Sequence, residues 1–246
     1  MTISTAVERI KPEDFIKTDS GIWVDIYNFP DENGRPKTRI NWYDSKLTAK
    51  QYGLILPTSN EWGDARKYLQ ENDTEKEKLF ISGPSNWIDS LIVFPKNKQY
   101  PRGVEDLLKD LLGSKVSKYP IIMERTDVEK DGDNYVLLKS PDTKSHILQD
   151  LPLKDGYIQD WNDNLDLPTK VGSKPNPEYF GTYYWVTSQG IRPVLRGRWF
   201  WLPHVRRRFD MDAAWGPLDS REDVGFRLAS KEDPKVLISD KTRRVK

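Results

Sequence analysis

The first indication of the fold lies in residues 56–62, which read Leu56-Pro57-Thr58-Ser59-Asn60-Glu61-Trp62. Thr58 and Glu61 have the spacing of a capping box, in which each side chain accepts a hydrogen bond from a backbone N–H at the start of a helix. Trp62, Ala65 and Leu69 follow at intervals that place them on one helical face. We therefore expect a helix that begins at Thr58 and buries this face.

The flanking sequence predicts a mixture of strands and one further helix. The leucines of residues 104–112 share a helical face, and Gly113 follows where a helix would end. Alternating β-rich residues at 22–29 and 38–43 surround the turn-forming residues 30–34, which predicts a hairpin. A second hairpin is expected from residues 121–126 and 135–139 around Asp131-Gly132. After Lys139 prolines interrupt every candidate helix, so we expect an α+β fold with two helices, antiparallel sheets and long ordered loops.

Charge and hydropathy disfavour several classes of protein. The 246 residues include 39 Lys and Arg against 38 Asp and Glu, a formal net charge of +1. The chain thus lacks the basic surplus that attracts proteins to nucleic acid or anionic membranes. No apolar run approaches the roughly 20 residues of a membrane helix, and the N-terminus has no secretory signal pattern. Localisation stays open, with display on a virion or a cell surface as one interpretation.

Cofactor and metal chemistry lack their usual residues. The absence of Cys excludes disulfides and thiolate sites, and His146 and His204 lack the spacing of a metal pair. There is no glycine-rich phosphate loop and no G-x-S-x-G sequence. We therefore expect no cofactor and no metal. The organisation we expect is a single domain over residues 1–229, followed by a basic tail over residues 230–246.

Residues 192–223 differ in kind from the rest of the chain. The first part is basic and the second acidic, with aromatic residues between them, and no strand or helix period persists. This pattern is typical of a presented loop surface, since Trp and Arg are enriched at binding hot spots. In the alternative interpretation the tryptophans are core residues and the arginines are their solvated rim. The residues concerned are Arg192, Arg196, Arg198, Arg206, Arg207 and Arg208, then Asp210, Asp212, Asp219, Glu222 and Asp223, with Trp199, Trp201, Phe209 and Trp215 interleaved.

Two separated motifs resemble the formylglycine-generating, or sulfatase-modifying, branch of the C-type lectin fold. Leu56-Pro57-Thr58-x-x-Glu61-Trp62-x-x-Ala65 is similar to the L-P-T-E-A-E-W-E-x-A helix start of that family. Arg192-Pro193-Val194-Leu195-Arg196-Gly197, followed after Pro217 by Val224-Gly225-Phe226-Arg227, resembles the family's R-V-L-R-G-G-S-W … V-G-F-R ending. The resemblance implies a C-type lectin-like fold over residues 21–229, in which residues 22–29 pair with the strand carrying residues 224–228. We expect Trp62, Leu195 and Phe226 to be core residues of this frame, and Arg196 and Arg227 to be held in structural hydrogen bonds.

The chain departs from that family at its chemistry. It has neither the cysteine pair of the formylglycine-generating enzymes nor the three histidines of the related sulfoxide-forming enzymes. Constant ends around an unusual interior are instead similar to the hypervariable region of variable proteins diversified by retroelements, in which asparagine codons are randomised. Phe200, Leu202, Pro203, His204, Arg206, Asp210 and Asp223 are reachable from such codons. The resemblance therefore implies a variable surface at about residues 198–223.

Three functional hypotheses follow. The leading one is a non-enzymatic protein that binds a protein or cell-surface ligand, in the manner of a receptor-binding module. The second is an enzyme on the same scaffold that lacks the cysteine pair, with or without calcium. The third is a nucleic-acid binder that uses residues 206–208, which the neutral net charge disfavours. For the leading hypothesis the expected ligand-binding residues are Arg198, Trp199, Phe200, Trp201, Leu202, His204, Arg206, Arg207, Asp210, Asp212, Trp215, Asp219, Arg221 and Asp223.

Overall fold

The computed structural model of the protein describes residues 10–81, 83–94, 100–113, 118–197 and 211–237, and the described chain has a mixed α+β fold. The helices are α1 (Trp42–Gln51), α2 (Ser59–Asn72), α3 (Thr74–Ile81) and α4 (Val104–Leu112). The strands are β1 (Phe15–Lys17), β2 (Trp23–Asp25), β3 (Ser85–Phe94), β4 (Ile121–Glu124), β5 (Asp127–Asp131), β6 (Asn134–Leu138), β7 (Lys144–Ile147), β8 (Gly156–Asn162), β9 (Leu167–Gly172), β10 (Tyr183–Val186), β11 (Gly190–Arg196), β12 (Met211–Ala213), β13 (Val224–Phe226) and β14 (Ala229–Ser230).

The described strands build one large sheet and two small ones. The large sheet has nine strands in the order β7-β4-β3-β11-β12-β10-β8-β9, and β13 pairs with β3 beside this path. β3 is buried along its whole length, because β11, β4 and β13 all pair with it and helices cover it. β1, β2 and β14 form a three-stranded sheet, and β5 and β6 form a hairpin.

The capping-box prediction for α2 is confirmed. The Thr58 hydroxyl accepts a hydrogen bond from the Glu61 N–H at 3.4 Å, and the Glu61 carboxylate accepts one from the Thr58 N–H at 2.8 Å. Trp62, Ala65 and Leu69 are fully buried, as their spacing predicted. The helix over residues 104–112 is also confirmed, with Gly113 as its C-terminal cap.

The expectation of only two helices is wrong, because α1 and α3 are present as well. α1 begins at Trp42, within residues 38–43 that we expected to form the second strand of a hairpin, and residues 38–41 form no strand. The Asn41 side chain accepts a hydrogen bond from the Asp44 N–H at 2.8 Å, so a capping residue starts a helix where aromatic composition suggested a strand. A turn over residues 31–35 does follow the extended N-terminal segment, closed by a bridge between Pro30 and Pro36.

The second predicted hairpin exists with a different first strand. Its turn contains Gly132 as expected, but β6 pairs with β5, which begins at Asp127. Residues 121–124 instead form β4, which lies between β3 and β7 in the large sheet. Arg125 has a left-handed backbone with φ 58° and separates the two strands, so one apparent β-run belongs to two sheets.

The two ends of the described chain meet, but not through the residues we expected. We expected residues 22–29 to pair with 224–228, whereas β2 pairs with β14 and β13 pairs with β3 in the large sheet. Two backbone hydrogen bonds of 2.9 Å still link the expected segments, from the Asp25 N–H to the Leu228 carbonyl and from the Phe29 N–H to the Phe226 carbonyl. The segment after β13 thus moves from the large sheet to the small one.

The structured part continues past the boundary expected at residue 229. Ser230 is buried in β14, and Leu237 packs against the core at the end of a short helical turn. After residue 139 the described chain has only short helical turns, as the prolines predicted. Within the part that the structure describes, no helix is long and apolar enough to cross a membrane.

Candidate functional site

The predicted ligand-binding residues fall into two groups. Arg198, Trp199, Phe200, Trp201, Leu202, His204, Arg206, Arg207 and Asp210 lie outside the described residues. Asp212, Trp215, Asp219, Arg221 and Asp223 lie within them, on β12 and the segment that leads to β13. The described frame therefore defines where residues 198–210 are attached.

That attachment is at two neighbouring strands. Arg196 at the end of β11 lies opposite Met211 at the start of β12, and the strands are antiparallel. β12 also pairs with β10, which places Trp185 opposite Asp212. The 14 residues from 197 to 210 therefore leave and re-enter the sheet at one place.

Arg196 fixes the β11 side of this attachment. Its side chain is fully buried, forms an ion pair with Asp166 and lies between two rings, 5.1 Å from the centroid of Trp62 and 5.3 Å from that of Trp161. Asp166 also accepts a hydrogen bond from the Trp161 indole at 3.1 Å. Gly63 permits this approach, because a Cβ there would lie 2.8 Å from an oxygen of Asp166. The expectation that Arg196 is structural is confirmed.

A second cluster fixes the β12 side. Asp212 accepts hydrogen bonds from the Ala214 N–H at 2.7 Å and from the Trp215 indole at 2.9 Å. The Arg221 guanidinium lies 4.2 Å from the centroid of the Trp215 ring and donates to Asp223 at 2.8 and 3.3 Å. We refer to Asp212, Trp215, Arg221 and Asp223 as the 212–223 cluster.

This cluster corrects the prediction of one solvent-accessible face. Asp212 and Asp223 are buried, and Trp215 and Arg221 are half-buried against each other. Only Asp219 is exposed among the five described residues, and it accepts a hydrogen bond from the Gly216 N–H at 2.6 Å. Arg221 and Asp223 thus form an internal ion pair, and Asp212 is satisfied by the Ala214 N–H and the Trp215 indole. Burial raises the pKa of Asp212 to about 6, while its two hydrogen bonds act in the opposite direction.

A strip of aromatic side chains that includes an exposed tryptophan lies beside β12, and the sequence analysis did not predict it. Tyr183 and Trp185 alternate on β10 with the fully buried Tyr184, so their side chains point away from the core. Their ring centroids lie 4.6 Å apart, and Tyr157 on β8 makes an edge contact with Tyr183 at 5.0 Å. Trp185 is 47% exposed, which is unusual for so large an apolar ring. The sequence Tyr183-Tyr184-Trp185 could have predicted this strip, because alternate residues of a strand lie on the same face and Tyr183 and Trp185 are two positions apart.

A cluster of buried charges forms a second candidate site, between α1, α2, β3 and β4. Lys46 pairs with Asp89, and Arg125 pairs with Glu61 and lies 3.5 Å from Asp89. The Lys46 ammonium lies 5.1 Å from the Trp42 ring, and desolvation lowers the pKa of Lys46. A cavity of about 190 Å³ adjoins these side chains. Clustered buried charges with shifted pKa values are common at active sites, but ion-pair networks with a structural role produce them as well.

The described residues of the two candidate sites do not form a metal centre. In the described ranges no three His, Asp or Glu side chains are grouped so as to hold a metal ion. Comparison of the chain with protein-family models, with curated proteins and with solved structures gave no match.

Proposed function

We propose that this chain is a non-enzymatic ligand-binding protein, in which a C-type lectin-like scaffold displays residues 198–210 and their surroundings to a protein partner on a cell or virion surface. The fold part of this proposal depends on the two sequence motifs, and the α+β architecture is compatible with it. Diversification of these residues by a retroelement is the origin that the sequence pattern suggests.

One observation carries the proposal. The segment over residues 197–210 is anchored at directly opposed positions of two paired strands. The aromatic strip of the half-buried Tyr157 and Tyr183 and the exposed Trp185 lies on the strands next to its return point. Large rigid side chains on a firmly held frame can bind a partner with little loss of conformational entropy. Exposed tryptophan beside a segment rich in Trp and Arg is a composition typical of interaction sites.

The anchors explain how the frame could tolerate variation. Arg196 and the 212–223 cluster hold the two ends through contacts with other described residues of the frame. Substitutions between the anchors would then alter recognition while the core stays intact. This separation of frame and surface is what a diversified binding protein requires.

The test compares two multiple variants with the wild-type chain on an array of purified cell-surface and virion proteins. The display variant carries Trp199→Ser, Trp201→Ser, Arg206→Ser and Arg207→Ser. We expect its melting temperature to stay within a few degrees, because surface substitutions usually cost about 0.5 kcal/mol or less each. Its affinity for the tightest array partner should fall by about 100-fold or more, because hot-spot residues each contribute about 2 kcal/mol or more.

A matched control carries four exposed lysines replaced by Ser: Lys76, Lys78, Lys109 and Lys139. It should bind as the wild type does. Unfolding of the display variant would mean that residues 198–210 belong to the core, and equal loss in both variants would mean that binding is not located at this surface. Either result contradicts the proposal, as does an array without any specific partner.

The buried charges around Lys46 support a second candidate, an enzyme on the same scaffold. The supporting observation is a lysine with a lowered pKa beside a small cavity that Asp89 and Arg125 also line. Under this hypothesis Lys46 should react with an amine-directed acylating reagent at neutral pH faster than the exposed Lys50. Mass-spectrometric mapping of the modified lysines tests it.

A further inference from the structure

A cleft of about 740 Å³ shares no lining residue with the cavity beside Lys46 and adjoins the 212–223 cluster through residues 216–218. Its walls come from the start of α1, residues 101–102, the turn between β5 and β6, residues 189–192 and residues 216–218. This volume falls within the range of small-molecule sites, which is roughly 300–1,000 Å³. Arg192 in this cleft precedes Arg196 by four residues on β11, a separation of roughly 13 Å along a strand. The cleft therefore lies at the opposite end of β11 from the displayed segment.

The walls of the cleft are fixed by backbone and ring contacts. The Trp42 N–H donates to the Pro217 carbonyl at 3.2 Å, which holds residues 216–218 against the start of α1. On the facing side Tyr135 stacks on Tyr43 with ring centroids 4.6 Å apart, and its hydroxyl donates to Asp44 at 2.8 Å. The cleft is thus preformed and presents a flat aromatic wall.

Arg192 contributes a cationic group to this cleft that forms no ion pair within the described residues. Its side chain is half-buried, and its one hydrogen bond runs from Nε to the Thr187 carbonyl at 3.3 Å. Within the described part of the chain no carboxylate lies at ion-pair distance from it. Gly216 leaves room beside it, because a Cβ there would come within 3.4 Å of Nη1. Burial lowers the pKa of Arg192, and the nearby Asp219 acts in the opposite direction.

The Arg192 guanidinium differs from the other charged groups of the cleft, which are exposed to solvent. Arg102 is exposed and pairs with Asp131 at 2.5 Å, and Asp133 lies in the exposed β5–β6 turn. The Asp219 carboxylate lies near Arg192 but beyond ion-pair distance, so the half-buried guanidinium can still pair directly with the carboxylate of a ligand. A guanidinium presents two parallel N–H groups that match the two oxygens of a carboxylate.

The remaining lining defines the rest of the ligand. Tyr135, Pro217 and Leu218 provide ring and aliphatic surface, and Leu218 is 64% exposed at the rim. Tyr43 also lines the cleft, and its hydroxyl is buried and has no hydrogen-bond partner in the described chain. We propose that this cleft binds a small organic acid, with its carboxylate on Arg192 and a flat apolar body between Tyr135 and Leu218.

The test measures binding of 2-naphthoate and of its neutral match 2-naphthamide to the full chain, by ligand-observed NMR and calorimetry. We expect the carboxylate to bind at least about ten-fold more tightly than the amide, since a bidentate charged pair is replaced by neutral contacts. Arg192→Gln should remove this preference, and Arg192→Lys should restore only part of it because lysine lacks the fork. Arg35→Gln, an exposed substitution outside the cleft, should change nothing.

Three outcomes would overturn the inference: no naphthoate binding at millimolar concentration, equal affinity for acid and amide, or an unchanged preference in Arg192→Gln. An acidic peptide that binds while naphthoate does not would also overturn it. If Arg192→Gln fails to fold, Leu218→Ser at the exposed rim serves instead and should weaken both probes. The display variant should bind naphthoate as the wild type does, so the two proposals fail independently.

Discussion

Glu124 shows how one residue can link burial to the pH dependence of stability. It lies at the end of β4 beside the buried charges, and the Ser90 hydroxyl donates to it at 2.9 Å. Desolvation raises its pKa to about 7, with Glu61 and Asp89 acting in the same direction and Ser90 and Arg125 in the opposite one. The folded protein therefore holds a proton on Glu124 that the unfolded chain releases near its ordinary pKa of 4.5. The contribution of Glu124 to the free energy of unfolding is therefore fully present below pH 4.5 and is lost as the pH rises through about 7.

Glu124→Gln should therefore flatten the pH dependence of the free energy of unfolding. The amide mimics the protonated acid and can still accept the Ser90 hydrogen bond, so the variant should be more stable than the wild type at pH 8. The gain should be at most about 3 kcal/mol, from 1.36 kcal/mol per unit of pKa shift, and should vanish near pH 4. Urea unfolding at several pH values measures it. Glu129→Gln on the exposed hairpin is the control, and equal pH profiles for both variants would refute the assignment.

Local sequence patterns predicted a secondary-structure element correctly where the hydrogen bonds and apolar face that define it lie within that element. The capping box and the apolar face of α2 needed no distant partner, and they were read correctly from residues 58–69. The predictions for residues 38–43 and 121–126 were wrong because the structure of each segment depends on which of two possible sets of partners is more favourable. In the first segment Asn41 caps a helix that begins at Trp42. In the second, residues 121–124 pair with β3 and β7 in the large sheet and not with β6 in the hairpin.

Thr58→Ala tests the stabilising contribution of the cap of α2. The substitution removes the acceptor for the Glu61 N–H, and we expect a loss of about 1 kcal/mol in the free energy of unfolding, while Thr58→Ser should be close to wild type. Chemical denaturation of the three proteins provides the measurement. Glu61→Gln should cost more than Thr58→Ala, because Glu61 also pairs with the buried Arg125. The reverse order would mean that the Arg125 pair does not stabilise the fold.

For the whole molecule, the sequence motifs predicted the frame better than the candidate site. Trp62, Leu195 and Phe226 are buried as expected, because large apolar side chains within helices and strands are stabilised by leaving water for the core. Asp212 and Asp223 were expected on a surface and are buried, because the partners that satisfy them, Trp215 and Arg221, are known only once the chain is folded. The cleft around Arg192 could not be predicted for the same reason, since its walls come from five separate parts of the sequence.

Arg227 joins the two ends of the described chain to its middle, which gives a test of the whole fold. Its fully buried guanidinium donates to the carbonyl of Ile26 and, at 2.6 Å, to that of Phe80, and lies 4.4 Å from the centroid of the Phe80 ring. Burial lowers the pKa of Arg227 to about 10. These contacts connect segments that are 201 and 147 residues away in sequence.

Arg227→Lys should consequently destabilise the entire chain. A lysine cannot reach both carbonyls with a planar fork, and two lost hydrogen bonds from a charged donor correspond to about 3–5 kcal/mol. Arg39→Lys is the control, since Arg39 pairs with Glu222 at the surface and should cost about 1 kcal/mol or less. Amide hydrogen exchange should show lowered protection in β2, α3 and β3 together, because one residue ties these elements into a cooperative unit. Loss of protection confined to β2 would show that the ends of the chain close independently of the central sheet.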